Sequence, residues 1–70
     1  MAREYLIAYR KEHGLKSSDM AKRLDLSESY YSQIEKGNRQ KKMDIALVAL
    51  ISNVTGMSMQ EVIEYENALE

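Results

Sequence analysis

The chain has 70 residues, no cysteine, no proline, a single histidine and a formal net charge of −1. That length admits one domain with a small core. Without cysteine there is neither a disulfide framework nor a thiolate metal site, which suits a reducing cytoplasm. The longest apolar run, 45–51, is too short to span a bilayer and no signal-like segment follows the N-terminus, so no membrane role, metal or cofactor is expected.

Gly14, Gly37 and Gly56 each stand where a helical pattern ends, and they divide the chain into five expected helices. The first covers Ala2 to His13, with Leu6, Tyr9 and Arg10 facing inward and His13 placed to satisfy the last carbonyls. The second begins near Ser17 and puts Met20, Ala21 and Leu24 on one stripe, an i, i+1, i+4 set. Leu26 plugs the turn, and Ser27 suits the N-cap of the third helix. There Tyr31 and Ile34 share a packing side, while Glu28, Ser29, Ser32 and Gln33 lie on the other as pairs four apart. Gly37 supplies a left-handed stop before the polar, basic loop Asn38 to Lys42. The fourth helix, about 44–55, is apolar almost all round, which calls for a central position or for cover by another chain. The fifth starts near Ser58 and carries Met59, Val62, Ile63 and Leu69, with Glu61, Glu64 and Glu66 opposite. No segment alternates with period two for long. The expectation is a single all-α domain over 1–70, a compact five-helix bundle with helices 4 and 5 (about 44–69) serving core and dimerisation.

Charge is segregated along this order. Residues 16–42 carry seven cations against four carboxylates, a net +3, whereas 43–70 carry five carboxylates and no lysine or arginine, a net −5. The positive part coincides with 17–37, two short amphipathic helices three or four residues apart, which is what a DNA-reading helix-turn-helix requires. An acidic tail can face away from phosphates, so the overall charge does not argue against nucleic acid.

The run GLKSSDMAKRLDLSESYYSQIEKGNR, followed by an apolar helix and GMSMQEVI, resembles the lambda-repressor-like, Cro-type helix-turn-helix family of bacterial and phage regulators over about Leu6 to Ile63. The resemblance implies five helices, a two-fold dimer, double-stranded DNA as partner and an operator with paired half-sites. It implies that Glu28, Ser29, Ser32 and Gln33 read base edges from the first two turns of the recognition helix. It also implies phosphate contacts from Ser17, Ser27, Tyr30, Lys36, Asn38, Arg39, Gln40, Lys41 and Lys42. The plainer alternatives are that these side chains form a solvated surface, that Glu28 simply complements the helix dipole, and that the Tyr30 ring shields the core edge. Arg10 and Glu35 occupy the positions of a structural ion pair in that family, and Leu47, Leu50, Ile63 and Leu69 are the expected dimer contacts.

The chain departs from the family pattern at four places. Lys16 and Ser17 replace Thr-Gln at the start of helix 2, Asp25 replaces a turn glycine, Tyr31 replaces an isoleucine, and no proline precedes helix 4. Tyr31 therefore requires a partner for a buried hydroxyl. The function expected is a sequence-specific transcriptional regulator, most simply a repressor. The alternative is an interaction module of antitoxin or antirepressor type whose main partner is a protein. No paired-carboxylate, nucleophile–base or metal constellation suggests an enzyme.

Overall fold

A computed structural model describes residues 2–40 and 42–69, and among these every regular element is helical: α1 Glu4–Glu12, α2 Ser17–Arg23, α3 Glu28–Lys36, α4 Ile45–Thr55 and α5 Met59–Asn67. α2 packs on α3, α1 on α3 and α4 on α5. No single helix is long and apolar enough to cross a membrane.

Local chemistry sets the boundaries. Ser27, Asp44 and Ser58 each cap the following helix with a side-chain oxygen that accepts from an N–H three residues on, at 2.8–3.2 Å. α3 ends at Gly37, whose φ of +82° is the left-handed region, and the Asn38 N–H turns back to the Gln33 carbonyl at 2.9 Å. Asp25 takes the same left-handed conformation (φ +58°) in the turn between α2 and α3, where a short polar side chain tolerates it better than a branched one.

Three expectations change at this level. α1 is shorter than Ala2 to His13 because Arg3 is diverted before the first turn, its N–H donating to the Glu35 carbonyl at 2.7 Å. α2 begins at Ser17 as expected, and the Lys16 N–H before it is satisfied by Asp19 Oδ2 at 2.8 Å. Leu47, expected as an exposed dimer contact, is only 6% exposed and belongs to the core, because α4 turns Leu47, Val48 and Ile51 inward. The exposed large apolar side chains of α4 are Ile45 and Leu50, at 68% and 39%. Glu66, expected on the solvent side of α5, is turned inward onto Arg3 and Tyr5.

Around the remaining core of Leu6, Met20, Leu24, Tyr31, Ile34 and Val62, polar groups are paired, and among the described residues no buried side-chain nitrogen or oxygen lacks a partner. Glu35 is the densest case. Its two oxygens accept Arg10 Nε and Nη2, both at 3.0 Å, and Oε2 also accepts the Tyr31 hydroxyl at 2.6 Å. The tyrosine that replaces a hydrocarbon in the core thus donates to a carboxylate that is already neutralised.

Arg10→Ala strips the counter-ion from a buried carboxylate and is expected to lower the unfolding free energy by about 3 kcal/mol, read from urea denaturation. Alkaline pH acts on the same core through its two buried phenols. Burial foremost, and then the hydrogen bond to Glu66 or Glu35, raises the Tyr5 and Tyr31 hydroxyls well above the ordinary phenol value. The folded state therefore holds these two protons more tightly than the unfolded chain does. Their contribution is complete below about pH 10 and declines as pH rises above it. Denaturation curves measured through that range should show the decline, and it should be shallower in the Tyr5→Phe/Tyr31→Phe variant.

Candidate nucleic-acid interface

α3 divides sharply into two faces. Tyr31, Ile34 and Glu35 are buried, whereas Glu28 and Ser29 are exposed and Ser32 and Gln33 are half-buried on the opposite side. Lys36, placed with the phosphate-contacting residues on sequence grounds, follows Ser29 and Ser32 at helical spacing and so extends the outer face by a turn. The N-terminus of α3 points its unpaired N–H groups and positive dipole end outward beside Ser27.

The loop after α3 is tied to the helix by side chains. Asn38 Nδ2 donates to Gln33 Oε1 at 3.1 Å, which fixes the Gln33 amide and leaves both of its own N–H donors and one acceptor lone pair unused. Gln40 Nε2 donates to the Tyr30 hydroxyl at 2.8 Å, and the Arg39 guanidinium lies 5.9 Å above the Tyr30 ring. Tyr30 packs its ring against the core edge while its hydroxyl proton stays available. The Gln40 side chain is occupied by this bond, and its backbone is left-handed, with φ +53°. Asn38, Arg39 and Lys42 are exposed; Lys41 lies outside the described residues. The Ser27 oxygen is engaged as a cap, and Ser17 is half-buried in the first turn of α2.

Arg3 was not anticipated from the sequence. It is 2% exposed, and its guanidinium gathers the end of α3 and the loop into one fixture. Nη1 donates to the carbonyls of Ile34 (2.7 Å) and Arg39 (3.1 Å), Nη2 to the carbonyl of Gln40, and Nε and Nη2 to the two Glu66 oxygens at 2.8 and 3.1 Å. The left-handed Gln40 is held at its carbonyl by Arg3 and at its side chain by Tyr30. Most of the acceptors are main-chain carbonyls, which any residue supplies, so no pattern of residue types announces the site. The one readable partner, Glu66, is 63 positions away.

A recognition helix with a polar outer face, a locked inner face and a basic loop at its end is the arrangement of a helix-turn-helix DNA-binding domain. A helix-turn-helix family model matches residues 6–62, and the chain belongs to this lambda-repressor-like, Cro-type family of DNA-binding transcriptional regulators. No curated protein and no solved structure gives a significant match. Among the described residues no three His, Cys, Asp or Glu side chains converge as a metal site would require.

Lysine offers a point charge in place of a planar fork and cannot serve three carbonyls and a carboxylate together. Arg3→Lys should therefore lower stability by about 2 kcal/mol. It should also accelerate amide exchange at Asn38 and Arg39 roughly tenfold relative to α2, measured by hydrogen exchange with NMR detection.

Proposed function

We propose that the chain acts in the cytoplasm as a repressor, a homodimer that occupies a palindromic operator with the outer face of α3 in the major groove. The observation that carries the reading is the contrast between the two sides of α3: every inward polar group is consumed, while Glu28, Ser29, Ser32 and Gln33 keep free hydrogen-bonding capacity. With Oε1 steadied by Asn38, the Gln33 amide can still accept from adenine N6 and donate to N7. Ser29 and Ser32 suit either base type, and Glu28 suits the cytosine amino group. Arg39, Lys42, Lys36 and Asn38, with Lys41, Ser17, Ser27 and the Tyr30 hydroxyl at the margins, would set the register on the phosphates.

Dimerisation is assigned to the exposed side of α4. Ala46, Leu50 and Asn53 form a ridge at i, i+4, i+7 with Ile45 beside it, and no charged residue occurs from Ile45 to Thr55. Ile63 and Leu69, also expected at the interface, are half-buried against the core and line a hollow with Met43 and Val48. Leu47 is replaced in this role by Ile45, since its own side chain is already in the core.

Selection of bound duplexes from a random DNA pool tests the reading. The expected result is an enriched palindrome with half-sites about 10 base pairs apart, roughly one helical turn. No enrichment by the folded protein would refute sequence-specific binding, and an enriched single half-site would refute the dimer. On the selected operator, Gln33→Ala should relax preference at one position per half-site by about 1–3 kcal/mol. Arg39→Ala should instead weaken all sequences alike and reduce the salt slope by about one per half-site.

A further inference from the structure

Between α1 and α5 lies a groove of about 530 Å³ that DNA recognition does not use. Its floor is Tyr5, Ala8, Tyr9, Met57, Tyr65 and Leu69, and Glu4, Glu12 and Glu61 line it as well. We infer that this groove is a docking site for a cationic amphipathic helix of a partner protein, with apolar anchors seated on the aromatic floor and Lys or Arg against the carboxylates. The inference does not depend on the DNA-binding reading.

The floor offers mainly ring faces and hydrocarbon, because two of its three phenol hydroxyls are engaged elsewhere. Tyr9 donates to the Val54 carbonyl at 3.1 Å, and Tyr5 donates to Glu66. Tyr65 stacks on Tyr5, with ring centroids 5.0 Å apart and planes within 7°, yet it remains 48% exposed. A large aromatic ring held in place and half open to water has lost its conformational freedom before any partner arrives.

The carboxylates select the partner's charge. Glu4, Ala8 and Glu12, at i, i+4, i+8, form one ridge of α1, on the side opposite Arg10, which faces α3. Glu61 and its exposed neighbour Glu64 stand on the α5 side, where a second hollow is lined by Glu61, Glu64 and Tyr65. Among the described residues none of these four carboxylates forms a salt bridge. Lys11 is the nearby cation on α1, exposed and likewise unbridged among the described residues. Tyrosine faces next to unbridged carboxylates are the surroundings in which guanidinium and ammonium groups are held. Phosphates would be repelled there.

Shape and symmetry narrow the occupant. α1 and α5 have nine residues each, about 14 Å of helix, so a third helix laid between them would make contact over two to three turns. A second copy is disfavoured, since a two-fold contact through this groove sets each cluster of glutamates against its own equivalent. The uncharged face of α4 has no such repulsion.

The test uses the full chain, isotope-labelled, titrated with three synthetic helices of about 14 residues, roughly four turns. One has leucines at i, i+3, i+4, i+7 spacing and lysines elsewhere, the second has glutamate for every lysine, and the third scrambles the first. The expected result is saturable NMR shifts confined to α1, α5 and Met57 with the lysine peptide. Binding should be at least about tenfold weaker for the other two peptides and for Glu12→Lys/Glu64→Lys, a variant that leaves the Ser58–Glu61 cap intact. Shifts centred on Ile45 and Leu50, equal binding of the scrambled peptide, or no saturation would each overturn the inference. An unchanged affinity in the charge-reversal variant, shown folded by circular dichroism, would remove the assigned role of the carboxylates.

Discussion

The outer face of α3 can meet another molecule only if the helix is held entirely from behind and from its end. A nine-residue helix is marginal in water by itself, so its position must come from tertiary contacts. Two guanidinium groups within the first ten residues provide them. Arg10 reaches Glu35 on the inner face, and Arg3 reaches the Ile34 carbonyl and the loop beyond Gly37. Both are planar, multidentate donors, and each fixes orientation as well as distance. Desolvation offsets much of the Coulomb attraction in such pairs, so what they contribute above all is a single geometry for α3. In a core this small, hydrophobic contacts alone allow sliding that a forked hydrogen-bond pattern does not.

The two arginines differ in how visible they are in the sequence. The caps, the left-handed glycine and the i, i+1, i+4 stripe of Met20, Ala21 and Leu24 depend on residue type at short spacing, so the helices were readable in chain order. Arg10 and Glu35 came from a family resemblance, and the contact between them is bidentate. Arg3 could not be found that way, because main-chain carbonyls have no sequence signature. The inner side of α4 was obscured for the opposite reason: a helix apolar on every side does not say which leucine is buried. Its buried set, Leu47, Val48 and Ile51, has the i, i+1, i+4 spacing seen in α2, but Leu50, Ile51 and Val54 offer the same spacing, so only the packing separates Leu47 from Leu50.

Arg3 also explains why the loop after α3 is more than a flexible basic tether. Its carbonyls are drawn inward, so its side chains are displayed outward, and the contacts that Gln40 and Asn38 make tie it back to Tyr30 and Gln33. Residues proposed to touch phosphate are thereby linked to a residue proposed to read a base. Glu66 closes the same arrangement from α5, so the most acidic helix carries the counter-ion of the loop's anchor. Its inward turn removes one negative charge from the surface of that helix.

A net charge of −1 is then compatible with binding a polyanion, for a reason of distance. The glutamate ridge of α1 lies on the side away from α3, in a molecule measuring 25 × 24 × 21 Å. At physiological ionic strength the Debye length is about 8 Å, so charges on opposite sides are two to three screening lengths apart. A phosphate beside Arg39 is influenced mainly by the local net +3 of residues 16–42 and hardly by Glu4 and Glu12 on the far side of α1. Near 0.01 M salt the screening length grows to about 30 Å, longer than the molecule, and the two halves oppose each other. The basic surface of α3 and its loop and the glutamate ridge of α1 therefore act as two nearly independent surfaces at physiological salt, one suited to phosphates and one suited to cations.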